Sequence, residues 1–126
     1  MKSGMIYWVS FAVVVAVLTV AAPAFSHSFP EKQSPAAGET VTSPPSEVSI
    51  KYDAPIEKLF ASLQVMGPDG KDMATDKPQV SADGYTLSVK VGKLGPGDYK
   101  VKWGVIGIDT HHTQGSYTFT VASKGA

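Results

Sequence analysis

The chain contains no cysteine and no arginine. Without cysteine there is no disulfide to hold a small domain together and no thiolate to bind a metal, so the fold must be held by packing. Without arginine, the side chain best suited to base edges and to paired phosphate contacts is missing. Eleven lysines stand against eleven acids, for a net charge of +0, and no basic run breaks the balance. Nucleic acid binding is therefore excluded as a function class. Helical periodicity is absent too, as are G-x-S-x-G, H-E-x-x-H and P-loop patterns, so the common hydrolase and nucleotide-binding motifs have no counterpart. Asp69 and Asp72, a pair of carboxylates, sit in a Gly/Pro turn and read as solvated.

One long apolar stretch is present. Residues 6–20 are apolar apart from Ser10 and Thr19, Lys2 precedes them, and the small residues Ala24 and Ser26 follow at the −3 and −1 positions of a cut before His27. This is the layout of a secretory signal peptide. The stretch is shorter than the roughly 20 residues of a spanning helix, which favours a cleaved signal over a retained anchor. No cysteine follows it to accept a lipid. The expected organisation is a signal over residues 1–26, export to the periplasm, and one β domain over residues 27–126.

In that domain the hydrophobic pattern has period two, with Gly and Pro between the runs. Val48, Ile50 and Tyr52 share one face of a strand, and 63–66, 85–91, 99–105 and 117–121 alternate in the same way. Gly67-Pro68-Asp69-Gly70 and Leu94-Gly95-Pro96-Gly97-Asp98 are turn signals. An opening strand near 28–33 brings the total to about six or seven, spaced as in an antiparallel sandwich or barrel. The stretch 73–78 is expected to be a loop. Trp103, Tyr52, Phe60, Tyr85, Tyr99, Tyr117 and Phe119 are assigned to core packing by the in-facing periodicity.

The chemistry concentrates on His27, His111 and His112, the three histidines of the chain. A cut before His27 would leave a residue whose α-amine and imidazole Nδ1 can grip one metal in a chelate ring. Asp109 and His111 are two apart, so an extended backbone would aim both the same way and His112 the other way. Two nitrogens from His27, one from His111 and an oxygen from Asp109 form a tetragonal N/O set, the preference of Cu(II), which also heads the divalent affinity order. The same Asp-Thr-His-His run is also ordinary turn chemistry with solvated side chains.

Three stretches resemble the CopC family of periplasmic copper-binding proteins. They are His27 with Ser34-Pro35-Ala36-Ala37-Gly38; Val48-Ser49-Ile50-Lys51-Tyr52-Asp53-Ala54-Pro55-Ile56; and Gly97-Asp98-Tyr99-Lys100-Val101-Lys102-Trp103, Asp109-Thr110-His111 and Gly115-Ser116-Tyr117-Thr118-Phe119-Thr120-Val121. The third is the specific one and is similar to the family's G-x-Y-x-V-x-W…D-G-H…G-x-Y-x-F-x-V. The resemblance implies an all-β Greek-key barrel or sandwich, Ig-like or cupredoxin-like, of about seven strands. It implies one tightly bound Cu(II) per chain, with ligand roles carried onto His27, Asp109 and His111. Thr110 stands where the family has Gly, Ala54 where some members have Glu, with Asp53 one residue earlier, and His112 is additional. Some members hold Cu(I) in a Met-rich loop; here only Met66 and Met73 lie beyond the signal, so no such site is expected. The implied role is a monomeric copper carrier or buffer in copper resistance or homeostasis, serving an inner-membrane copper permease, with no fused permease expected behind Ala126. The rival classes are a copper oxidase of the N-terminal-His, polysaccharide-monooxygenase type and a metal-free Ig-like interaction module.

Overall fold

The structure is a computed structural model and describes residues 28–123. Eight strands form: β1 (Pro30–Ser34), β2 (Thr40–Val41), β3 (Glu47–Tyr52), β4 (Ser62–Met66), β5 (Gln79–Val80), β6 (Thr86–Lys90), β7 (Gly97–Ile106) and β8 (His112–Val121). They build two four-stranded sheets, ordered β1-β3-β6-β5 and β2-β8-β7-β4. The chain crosses from one sheet to the other after each of β1, β2, β3, β4 and β6, a Greek-key sandwich. Every pairing is antiparallel except β2 with β8, where Thr40 and Val41 run parallel to Thr120 and Val121.

Period-two alternation puts one apolar row per strand into the space between the sheets. Val48, Ile50 and Tyr52 of β3 and Leu87 and Val89 of β6 face Leu63 and Val65 of β4 and the inner rows of β7 and β8. Tyr99 stacks on Phe119 with ring centroids 5.5 Å apart, and Tyr52 meets Trp103 edge-on at 5.6 Å. Phe119 is fully buried; truncation of such a ring to alanine costs about 3–5 kcal/mol. The Trp103 ring lies across Gly115, where a Cβ would come within 2.8 Å of Trp103 Cζ2. Glycine at that register position is therefore what lets the indole lie flat on its neighbouring strand.

Five of the eight strands, β3, β4, β6, β7 and β8, follow the periodicity; β1 falls on the opening strand expected near 28–33 but carries no alternating apolar row. β2 and β5 are two residues long, too short to carry a period. Asp69 and Asp72 are exposed but engaged: Asp72 Oδ1 accepts from the amides of Val65 and Ala74 (both 3.1 Å), fastening β4 to the chain beyond its turn. Of the aromatic set assigned to the core, Tyr85 is half-buried and Phe60 is not buried at all. Phe60 is 76% exposed with φ of 69°. It precedes β4 in the 53–61 connection, outside any alternating segment, so periodicity does not govern where its ring goes.

The hydroxyls of Tyr52 and Tyr117 are buried and find no hydrogen-bond partner among the described residues. Burial pushes both phenols far above the ordinary tyrosine range, helped at Tyr52 by the nearby Tyr117. An unfolded tyrosine loses its proton near pH ~10 while the folded one keeps it. Above that pH the unfolded state binds fewer protons, so stability falls as pH rises. Urea unfolding is expected to be steady from neutral pH to about 9 and to weaken above about 10. Tyr52→Phe should shrink that alkaline loss and leave stability at neutral pH unchanged or higher by about 1 kcal/mol. A loss above about 2 kcal/mol at neutral pH would mean that the hydroxyl is satisfied in solution.

Candidate metal centre

β7 and β8 pair over their whole length, from Gly97 opposite Val121 to Ile106 opposite His112. The five residues Gly107 to His111 close this hairpin. Gly107 N–H donates to His111 O (2.9 Å) and Thr110 N–H to Gly107 O (2.8 Å). Closure requires a left-handed residue, and Thr110 supplies it with φ of 74°. β-branched residues are disfavoured there because Cβ crowds the backbone. That is the physical reason for glycine at this position in the pattern the sequence resembles.

The hairpin brings Asp109 and His111 together, though not by strand alternation. Between them the backbone turns. Asp109 Oδ1 accepts the His111 amide at 3.0 Å, an Asx-type turn, and Asp109 Oδ2 lies 3.2 Å from His111 Nδ1. The expectation that an extended backbone aims both side chains alike is thus corrected: the pair converges through the turn. β8 also starts at His112, three residues before the position where the sequence pattern begins it. His112 is exposed on the outward face, with Nε2 3.8 Å from the position a Gly104 Cβ would take, while its neighbour Thr113 points inward. Among the described residues His112 does not form a three-member ligand group with the pair.

A carboxylate oxygen and an imidazole nitrogen 3.2 Å apart can be bridged by one ion, because metal–oxygen and metal–nitrogen bonds are each about 2.0–2.2 Å long. Both side chains are partly open, 34% exposed for Asp109 and 48% for His111. A cavity of about 350 Å³ lined by Ser28, Ala54, Pro55, Ile108 and Asp109 opens beside them. Among the described residues no group of three His, Cys, Asp or Glu side chains gathers in a metal-binding arrangement. His27, the remaining expected ligand, and the expected signal over residues 1–26 lie outside the described residues.

The residue that follows His27 is tied to the hairpin. Ser28 is almost completely buried; its carbonyl accepts Thr113 Oγ1 at 2.8 Å and its hydroxyl donates to Pro55 O at 3.1 Å. Phe29 N–H donates to Asp53 Oδ1 and Asp53 N–H to Phe29 O, each at 2.9 Å. Asp53 thus holds the incoming chain. The 53–57 segment is bound in turn to the hairpin, through Ile108 N–H to Pro55 O (3.2 Å) and Glu57 N–H to Ile106 O (2.8 Å). Gly107 sits where these parts meet: a Cβ on it would come within 2.7 Å of both Asp109 Oδ1 and Ser28 Oγ. Ser28, Thr113 and Gly107 were not singled out by the sequence, because buried hydroxyls and a glycine in a tight junction carry no local pattern.

Fold and donor pair together define a small β-sandwich that carries an imidazole and a carboxylate on the hairpin at one pole, beside the start of its first strand. Residues 30–122 match the CopC domain, and the chain belongs to the CopC family. It is similar to copper resistance protein C of Xanthomonas campestris pv. juglandis, 34% identical over 119 residues covering 86% of this chain and 91% of that protein. It is also similar to the copper transport protein CutJ of Bacillus subtilis (strain 168), 29% identical over 99 residues. That match covers 77% of this chain and only 18% of CutJ, so the chain spans under a fifth of that relative. The crystal structure of CopC from Methylosinus trichosporium OB3b superposes with a TM-score of 0.73 at 29% identity, covering 79% of this chain and 98% of that one. Among the described residues no helix is long and apolar enough to cross a membrane.

Two substitutions in the hairpin should act in opposite directions. Thr110→Gly removes the left-handed strain and is expected to raise the stability of the metal-free protein by about 1 kcal/mol. Gly107→Ala drives a methyl group into Asp109 and Ser28 and is expected to lower it by about 1–3 kcal/mol. Thermal or urea unfolding measures both, and a stabilising Gly107→Ala would contradict the close approach described here.

Proposed function

We propose that this protein binds one Cu(II) ion through the α-amine and imidazole of an N-terminal His27, the carboxylate of Asp109 and the imidazole of His111, and serves as a periplasmic copper carrier or buffer. The observation that carries this reading is the Asp109–His111 pair, 3.2 Å apart on the hairpin, with the buried Ser28 linked to the strand that follows it. Ser28, to which the proposed ligand residue is joined, is hydrogen-bonded to the strand that leaves this hairpin. The donor chemistry fits the ion, since nitrogen and carboxylate oxygen in a tetragonal set suit Cu(II). Relatives named for copper resistance and copper transport support the same metal.

Three of the four donors come from neutral nitrogen and the fourth is an anion. The carboxylate favours the more highly charged Cu(II) over Cu(I), and a filled square plane leaves no in-plane position for oxygen activation. This favours holding and release over turnover. Soft thioethers would favour Cu(I), but the sequence beyond residue 26 offers only Met66, at the end of β4, and Met73, which packs against the core. An inner-membrane permease is the fitting acceptor or donor for a carrier in that compartment.

The reading is tested by measuring Cu(II) affinity by competition for protein beginning at His27 and for the same protein with one residue added ahead of it. The extension removes the chelating amine and should weaken binding by orders of magnitude; equal affinities would sink the proposed site. Affinity of the unextended protein should also fall from neutral to mildly acidic pH, because protons compete for the amine and the imidazoles. Cu(I) should be lost readily to a Cu(I) chelator. Retention of Cu(I) as tight as Cu(II) would point to a different ligand set.

A further inference from the structure

Among the described residues Thr113 and Ser28 are the two buried polar ones, 9% and 1% exposed. They are hydrogen-bonded to each other across 85 residues of sequence, Thr113 Oγ1 donating to the Ser28 carbonyl at 2.8 Å. A hydroxyl among apolar neighbours is retained at a cost unless it is satisfied, and a backbone carbonyl buried there needs a donor. The first residues of a domain ordinarily fray; here the first described residue is among the most deeply buried of all. Ser28 lies in no strand and receives no ladder hydrogen bond. The Thr113 hydroxyl bonds its carbonyl and its own side chain reaches Pro55 O at 3.1 Å, next to the two hydrogen bonds by which Asp53 holds Phe29.

Thr113 is also two residues from His111 along the chain. The hairpin therefore ends on one expected metal donor, His111, and two residues later β8 carries the inward-facing group that grips Ser28. A chelating amine on a free chain end must be ordered when it binds, and that ordering weakens affinity unless it has been done in advance. We propose that Thr113 is a positioning residue for copper capture: by bonding the Ser28 carbonyl it fixes Ser28, the residue to which the proposed His27 chelate is joined, so that less of the chain is left to order when the ion binds. This rests on the ligand set proposed above and adds the device that assembles it.

The test is a cycle of two changes in protein that begins at His27: Thr113→Val, and a one-residue extension ahead of His27. Added Cu(II) is the probe. Cu(II) affinity and the number of coordinated nitrogens, from the electron paramagnetic resonance spectrum, are read together with urea stability of the metal-free forms. Thr113→Val keeps the side-chain shape and strips the Ser28 carbonyl of its donor. With a free N-terminus it should weaken Cu(II) binding about tenfold, the scale of one lost buried hydrogen bond, and lower the number of bound nitrogens. Thr113→Ser, which keeps the hydroxyl, should restore affinity to within about twofold. In the extended protein, where the amine is already gone, Thr113→Val should change affinity by less than about twofold.

A loss of equal size in both backgrounds, or an unchanged nitrogen count, would overturn the positioning role while leaving the copper site standing. If the extension itself has no effect, the ligand set fails and this inference fails with it. Should Thr113→Val not fold, Thr113→Ala removes the hydroxyl without pressing a methyl against the Ser28 carbonyl, and the same outcomes apply.

Discussion

The full-length pairing of β7 with β8 is the constraint on which the rest depends. From Gly97 opposite Val121 to Ile106 opposite His112 the register is unbroken. Its inner rows supply Tyr99, Val101, Trp103, Val105, Tyr117, Phe119 and Val121 to the core. Because side chains alternate with period two, a slip of one residue would turn these rows out to solvent. The same register decides which residues are left over at the far end. Only the five from Gly107 to His111 remain to reverse the chain, and a reversal that short forces the left-handed backbone at Thr110 and the Asx-type contact from Asp109 to the His111 amide. Core packing and the convergence of the two donors are thus consequences of one ladder.

This explains what could be read from the sequence and what could not. Strands β3, β4, β6, β7 and β8, the inward rows and the turns at 67–70 and 94–98 follow from alternation and from Gly and Pro, which are local signals. So does the naming of Asp109 and His111, since ligand-type side chains two apart between strong strands stand out. The reason for their convergence was not legible: an extended segment and a tight hairpin both bring i and i+2 together, and only the register at Ile106 and His112 separates the two. Phe60 shows the limit from the other side. Its residue type suggests the core, but it precedes β4 in a connection with φ of 69° and stays in solvent. The two-residue strands β2 and β5 depend on their partners β8 and β6 for their existence, so no window of sequence contains them.

The least local feature is the anchoring of the chain start. Phe29 and Asp53 exchange two hydrogen bonds, Ser28 reaches Pro55, and Pro55 accepts from Ile108 of the hairpin. Three segments far apart in sequence therefore share one small polar junction at the edge of an apolar core. Ala54 and Pro55 contribute no donor atoms of their own side chains, yet they wall the cavity next to Asp109. Serine, threonine and aspartate in such a junction look in sequence like the solvated residues of any loop, and only burial tells them apart.

A carrier must bind tightly and still give up its cargo, and the exposure of the site bears on both demands. The core lies between the sheets and owes nothing to a metal: its apolar rows are complete without one, unlike small domains whose folding free energy comes from the ion. Asp109 and His111 stand at the pole, one-third to one-half exposed, outside that core. Metal loss at the hairpin therefore need not unfold the sandwich, and an acceptor's ligands can approach from solvent while the protein's own donors leave one at a time. The rigidity resides in the buried junction of Ser28, Pro55 and Thr113, whereas the groups proposed to touch the ion are on its open side. Separating the two, with order below and access above, would let a cysteine-free β-sandwich hold the proposed metal without depending on it.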